Sequence, residues 1–379
     1  MSEKYSVLQV LPELESGGVE RGTIDIAKAI VDSGNKAYVC SNGGKLVTKL
    51  DEVGAQHIKL PVHSKNPITI ILNIFRLKKL IQSLDIDIVH ARSRAPAWSC
   101  FFACKLTKTK FVTTFHGAYE SSHTLKRFYN SVMLRGNIVI AVSNFILKYI
   151  ETRYRVKPDN IVVIHRGVDL DAFAAENVSK ERIAELKNKL GITIKGSVIV
   201  LPARITRIKG HLLFLNALKY LKQKNFTCII VGNVTPKHIE YLQEIEDTIK
   251  AYGLSDKVFV RQTVTDMPAL YSIADIVVCP SIVAEAFGRT IIEAQAMDKI
   301  VIASRLGAPV EIIQNGVTGF LVSHTDPSEM TEALEKVMNM KDEEKSKIIK
   351  AAKILLKKEF SLKKMCDSTL KIYKSLSKK

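Results

Sequence analysis

Glu285-Ala-Phe-Gly-Arg-Thr-Ile-Ile-Glu293 holds two carboxylates eight positions apart, with a Phe-Gly pair between them. On one unbroken helix, eight steps of 100° leave the two side chains about 80° apart. Gly288 favours another layout. Glu285 then sits on a loop, the chain turns at Gly288, and Glu293 projects from a helix that begins just after it. That helix start brings the backbone N–H groups around Phe287, Gly288, Arg289 and Thr290 to one spot, where they suit a phosphate. The carboxylates suit hydroxyls of a sugar or ribose, because an ionised carboxylate is a strong hydrogen-bond acceptor. A ligand with both kinds of group is a nucleotide sugar.

Around this stretch, short apolar runs alternate with longer helical patterns, which predicts parallel α/β construction. Tyr5–Leu11 reads as a first strand, followed by Gly17-Gly18 and a helix over Val19–Ser33. The pattern repeats to a strand at Ile161–Ile164. Asp171–Lys195 is charged, has little apolar pattern outside Ile183–Leu190, and reads as the region between two domains. A second α/β series starts at Ser197–Leu201. The expected division is 1–172 and 173–360, each a doubly wound, Rossmann-like domain, with an amphipathic helix over 361–379 at the end. Ligands of such sheets bind beyond the carboxyl ends of the strands. Gly17 and Gly18, His116, Arg204 and Glu285 all follow predicted strands.

The 379 residues suffice for two cores, and 46% hydrophobic with 25% charged residues is ordinary globular composition. No apolar run approaches the roughly 18 residues of a membrane helix. The longest, Ile68–Phe75, is short and interrupted by Asn73. Glu3 and Lys4 precede a first strand rather than a signal peptide, so a cytoplasmic protein is expected. The six cysteines include no C-x-x-C pair and read as buried reduced thiols. The net charge of +18 is the one unusual total. Residues 341–379 hold thirteen lysines against five acids. Either these form a solvated helix face, or they draw the protein to an anionic membrane surface, the inner face of the cytoplasmic membrane being the expected one.

Arg204 and Lys209 follow Val200-Leu201-Pro202, and Gly210 comes next. Two cations on a strand-to-helix loop can clamp a diphosphate and stabilise the charge it gains on leaving. His116 ends Phe111-Val-Thr-Thr-Phe115 and precedes Gly117. Gly17-Gly18 permits close backbone approach to phosphates, or is only a tight turn. Asp85-Ile-Asp87 has the D-x-D form of some metal sites but reads as a turn, and Asp169-Leu-Asp171 reads as a loop.

Together these segments resemble the retaining glycosyltransferases of GT-B fold, most closely glycosyltransferase family 4. The resemblance rests on the E-x7-E stretch, Gly17-Gly18-Val19-Glu20, Thr114-Phe115-His116-Gly117, Gly167-Val168-Asp169, Arg204 and Lys209-Gly210, in that family's order. The phrase His90-Ala-Arg-Ser-Arg-Ala-Pro-Ala-Trp98 is similar to members that build bacterial capsule or lipopolysaccharide. The resemblance implies two Rossmann-like domains facing a cleft, with an N-terminal acceptor domain, a C-terminal donor domain and a last helix crossing back to the first. It implies that Arg204 and Lys209 hold the diphosphate of a UDP- or GDP-sugar with no metal or cofactor required. Glu293 would hold the ribose and Glu285 the donor sugar. His116 would stand at the reacting centre as proton acceptor or sugar ligand. Arg92 and Arg94 would face a lipid-linked or saccharide acceptor. Arg289 departs from the family pattern, which has an aliphatic residue there, as do Gly307-Ala308 and Gly232-Asn233. These departures bear on donor identity. Two other readings stay open: a GT-B nucleotide-sugar epimerase, and a basic nucleic-acid-binding protein. Against the second, no binding motif or concentrated basic stripe is evident. A nicotinamide dehydrogenase would need G-x-G-x-x-G after the first strand, where this chain has Gly17-Gly18 alone.

Overall fold

The computed structural model describes residues 4–15, 17–119, 124–156, 159–221, 223–262 and 264–377. The chain forms two compact units: Met1–Arg166 with Leu362–Lys379, and Gly167–Ser361.

In unit 1 the apolar runs become seven parallel strands. They are β1 (Ser6–Val10), β2 (Lys36–Ser41), β3 (Gln56–Lys59), β4 (Ile88–Ala91), β5 (Lys110–Phe115), β6 (Ile138–Ala141) and β7 (Ile161–Val163). Their order is β3-β2-β1-β4-β5-β6-β7, with Val7 beside Ala37 on one side and Ile88 on the other. All five residues of β1 are buried, Ser6 and Gln9 included, as in a strand covered on both faces. The order reverses between β1 and β4, and such a switch point opens a crevice at the strands' carboxyl ends.

Unit 2 repeats the plan with six strands: β8 (Ser197–Pro202), β9 (Phe226–Val231), β10 (Val258–Arg261), β11 (Ile276–Cys279), β12 (Ile300–Ser304) and β13 (Phe320–Val322). Their order is β10-β9-β8-β11-β12-β13, so its switch point lies between β8 and β11. Two doubly wound α/β units are thus what the alternation of periods predicts.

The division lies earlier than 172/173. Val168 N donates to Phe360 O at 2.9 Å and bridges Ser361, which ties the segment after Arg166 to unit 2. Nor is Asp171–Lys195 a linker. Lys180–Leu190 is a helix capped by Ser179 and ended by Gly191 in the left-handed region, and Leu186 and Leu190 are buried in the core of unit 2. Its other face is so charged that only one apolar stripe shows in sequence.

The last helix, Leu362–Ser377, lies in unit 1; residues 378–379 of the expected segment, like 1–3, fall outside the described residues. Met365, Cys366 and Tyr373 join the core of β1 and the helix Gly18–Asp32. Tyr373 Oη lies 2.6 Å from His90 Nδ1, and His90 Nε2 lies 2.7 Å from Thr114 Oγ1. Asp85-Ile-Asp87 is a structural turn: Asp85 has φ +50°, and Asp87 Oδ2 accepts from Ser6 N at 2.8 Å. Asp169 Oδ1 accepts from the backbone of Asp171 and Ala172 within its loop. Among the described residues, no helix is long and apolar enough to cross a membrane.

Candidate active site

In unit 2 the Glu285–Glu293 stretch adopts the broken layout. Gly288 has φ +128°, a value an L side chain rarely takes, and the helix Arg289–Ala296 starts directly after it. Glu285 precedes the helix and pairs as an isolated bridge with Gly307. Ala308 N donates to Glu285 O at 2.9 Å, which fixes the loop from the far side.

The segment after β8 approaches the same place. Arg207–Lys209 forms a single tight turn, and Gly210, at φ +72°, caps the helix His211–Tyr220. A Cβ on Gly210 would fall 1.8 Å from Pro280 O, so only glycine lets this loop close on the segment after β11. Ile282 N donates to Ile208 O at 3.0 Å and holds the two loops together. Lys209 Nζ therefore stands 2.6 Å from Glu285 Oε1, and both side chains are largely buried. Ser281 Oγ donates to the same carboxylate oxygen.

Lys209, Glu285, Gly288 and Thr290 line one pocket of about 400 Å³, including its open mouth, together with Ser281 and Ser304. It opens at the carboxyl ends of β8, β11 and β12, at the switch point of the sheet. The start of an eight-residue helix borders it, adding the positive end of the helix dipole to the Lys209 cation.

The other expected residues of unit 2 sit apart from that lining. Arg204 is exposed, immediately after the pocket residue Ala203. Glu293 is almost buried, one turn into the helix. Its Oε1 lies 3.3 Å from Arg289 Nη2, and its Oε2 accepts from Tyr271 Oη at 3.4 Å. The Arg289 side chain thus pairs along its own helix at i, i+4. Phe287 packs its ring against Phe360 in the core, so its side chain serves packing. Arg207 and His211, the other basic residues of this stretch, are not part of the pocket lining. Arg207 pairs with Glu244 at 2.6 Å, and burial lowers the His211 pKa to about 4.

In unit 1, Gly17 caps the helix Gly18–Asp32. A Cβ there would lie 2.2 Å from Glu20 Oε2, so the Glu20 carboxylate folds back over the helix start, as a capping residue does. Gly18 O accepts from Arg166 Nη2 at 3.0 Å, and the missing side chain of Gly22 leaves room for that guanidinium. His116 follows β5 with both ring nitrogens buried and, among the described residues, without a hydrogen-bond partner. Burial holds its pKa well below the ordinary value, and Arg166, Arg92 and His90 push in the same direction. It is a neutral imidazole at neutral pH and can accept a proton or a hydrogen bond.

Arg92 and Arg94, expected on the acceptor side, differ in their burial and contacts. Arg92 is buried, with Nε and Nη2 without a partner among the described residues, lining a small cavity with Arg166 and Thr114. Arg94 lies 4.1 Å from the centre of the Tyr119 ring and donates to Asn130 Oδ1 at 2.9 Å. Two further residues emerge only in three dimensions: Ser281, which steadies Glu285, and Arg166, which holds Gly18. A polar residue just past the Pro280 that ends β11 was the one trace of Ser281 in the sequence. Arg166 had none beyond its place before Gly167.

Residues 16–172 match the family model described as Glycosyltransferase Family 4, and residues 182–355 match Glycosyl transferases group 1. The crystal structure of a glycosyltransferase from Rickettsia africae is 40% identical, with a TM-score of 0.92 over 99% of both chains. An Anabaena protein solved with UDP and glucose has a TM-score of 0.84 at 21% identity, over 98% of this chain and 100% of the other. The lipopolysaccharide 1,2-N-acetylglucosaminetransferase of Salmonella typhimurium is 28% identical over 59% of this chain and 58% of its own length. The chain spans about half the length of the curated relatives it matches. Two doubly wound sheets, a pocket at the switch point of the second, and agreement with a whole solved glycosyltransferase at this identity lead to one conclusion: the chain belongs to the group 1, family 4 glycosyltransferases of GT-B fold.

Proposed function

We propose that this glycosyltransferase moves a sugar from a UDP- or GDP-sugar to a hydroxyl of a saccharide or lipid-linked acceptor, with retained anomeric configuration, in the assembly of a bacterial surface polysaccharide such as lipopolysaccharide or capsule. The observation that carries the reading is the Lys209–Glu285 pair beside the Gly288 helix start, in one pocket of unit 2. Before donor arrives, each charge neutralises the other. When donor binds, Lys209 turns to the diphosphate, joined by Arg204, and Glu285 takes hydroxyls of the transferred sugar. Thr290 and the backbone from Gly288 to Arg289 approach the distal phosphate, and Glu293 holds the ribose. As the glycosidic bond breaks, the diphosphate gains negative charge, so cations fixed around it stabilise the transition state more than the ground state. The acceptor loses its proton to the leaving phosphate on the same face. Neutral His116, with Gly17 and Gly18, belongs to unit 1's share of the reaction, the acceptor and reacting centre. A surface-polysaccharide role is supported by the Salmonella relative, and a UDP donor by the ligand of the Anabaena structure.

The test is a thermal-shift screen of UDP-, GDP- and ADP-sugars, followed by NMR of the anomeric proton of the product. A donor at 100 times its dissociation constant adds about 2.7 kcal/mol of stability. If no nucleotide sugar stabilises the protein, the pocket assignment is wrong. If the donor is consumed as fast without acceptor as with it, the chain is an epimerase or hydrolase.

A further inference from the structure

Arg92 follows β4, where its backbone N donates to Val10 O at 2.8 Å. Its side chain is 3% exposed, and Nε and Nη2 have no partner among the described residues. Those two nitrogens lie on the same edge of the guanidinium, so their N–H groups point side by side at one acceptor. Leaving such donors unmet is costly for any buried group and more so for a charged one. Burial pulls the Arg92 pKa down, which registers that cost, while Tyr373, Asp25 and Cys366 push the other way.

The cavity beside it, of about 250 Å³ including its open mouth, carries a second cation. Arg166 is buried as well, and its Nη2 donates to Gly18 O at 3.0 Å. Gly22 makes room for it: a Cβ there would fall 2.5 Å from Arg166 Nη1. Glycine is among the least favourable residues inside a helix, and here it admits a charge.

The lining does not balance these charges. Among the described residues it holds no carboxylate, and Asp25 acts on Arg92 from outside it. The hydroxyl of Thr369 donates to Met365 O at 2.8 Å, and that of Thr114 lies 2.7 Å from His90 Nε2. Ile26, Ile140, Ile164 and Met365 supply apolar walls. Two like charges against such walls attract an anion, and the walls select its kind. A phosphate or sulfate would turn several oxygens towards methyl groups that donate nothing. A halide needs no oriented partner on its far side. A water molecule meets the N–H groups but brings no charge.

We propose that this cavity binds a halide ion such as chloride, gripped by the Nε–Nη2 edge of Arg92 and faced by Arg166. Met365 and Thr369 come from the last helix, Ile26 from the helix Gly18–Asp32 and Thr114 from β5. The ion thus ties the last helix to the layer it packs on. The site concerns unit 1 alone and stands whether or not the donor assignment above does.

Crystals of the full-length protein grown with sodium bromide, and with no nucleotide sugar, give an anomalous bromine peak beside Arg92 Nε and Nη2. In solution, chloride or bromide raises Tm over equal concentrations of sodium gluconate, whose anion is too large for the cavity. The rise is about 3–6 °C once the halide exceeds its dissociation constant tenfold. Arg92→Met shrinks this shift by at least about fourfold. Arg94→Met, whose guanidinium lies over the Tyr119 ring outside the lining, keeps it. Should Arg92→Met fail to fold, the bromine peak and the halide-over-gluconate shift of the unaltered protein decide alone. The proposal falls if there is no bromine peak, as a bound water would give, or if gluconate stabilises as much as halide. It also falls if Arg92→Met retains the full shift, or if sulfate takes the place of bromide beside Arg92 in crystals grown with both.

Discussion

Gly307 and Gly316 have nearly the same backbone, φ +77° and +76°, but different surroundings. A Cβ on Gly307 would lie 2.6 Å from Glu285 O and 2.7 Å from Glu285 N, closer than real Cβ contacts come, whereas one on Gly316 meets nothing within 4 Å among the described residues. Both alanine variants carry the left-handed backbone cost of about 1–2 kcal/mol. Gly307→Ala must also push the Glu285 backbone away, an overpacking cost of about 1–3 kcal/mol. The difference between them is then about 2 kcal/mol, or about 4–8 °C in Tm for a unit of this size. Because the displaced backbone carries Glu285, transfer falls further than stability alone explains, by about 100-fold for a misplacement approaching 1 Å. Urea and thermal melts of the two variants side by side measure the first effect, and initial rates at saturating donor measure the second. If Gly307→Ala and Gly316→Ala agree within about 0.5 kcal/mol and have equal rates, Gly307 does not position Glu285 and the account of the loop is wrong.

Lys209→Met leaves the largely buried Glu285 carboxylate without its cation, at a cost of about 1–3 kcal/mol, and abolishes donor-induced stabilisation. The double variant with Glu285→Gln recovers part of the stability but not the donor response, as a double-mutant cycle in urea shows. Tyr373→Phe removes the partner of buried His90 Nδ1 and costs about 1–3 kcal/mol, read in urea melts; a loss below about 0.5 kcal/mol means that this contact does not anchor the last helix. His211 makes stability depend on pH in a defined window. Its folded pKa of about 4 lies below the ordinary 6.5, so as pH falls the unfolded chain takes up the proton first. Stability is present above about pH 6.5, is lost towards pH 4 and levels off below, in total about 3 kcal/mol. His211→Phe removes this component from a series of melts between pH 7 and 4.

Most of the architecture was legible because the central strands of both sheets are buried on both faces. Their strands are then short β-branched runs, which no surface requirement obscures. The loop, turn and helix of 285–293 were legible for a related reason, since Gly288 breaks helical continuity where two carboxylates flank it. What escaped depends on distant contacts. Lys180–Leu190 looks like a linker because most of its surface is solvated. The unit boundary is set by a hydrogen bond from Val168 to Phe360. Arg92 reads as an acceptor-side residue, but nothing in its neighbours says that Tyr373 and Met365 arrive from the far end of the chain to bury it. Ile68–Phe75 shows the converse failure. An apolar run suggests burial, and only the inward turn of Asn73 reveals which side of the helix has no cover.

The return of Leu362–Ser377 to unit 1 sets a timetable for synthesis on the ribosome. The part of unit 1 up to Arg166 is without the side chains of Met365, Cys366 and Tyr373 until unit 2 has been made. At about 5–20 residues per second, the roughly 200 intervening residues take about 10–40 s. During that interval the nascent β1 layer has an uncovered apolar side, while unit 2 is released whole. Chaperone demand therefore concentrates on the first part of unit 1, and a chain cut short before Leu362 loses part of that unit's core although unit 2 is intact.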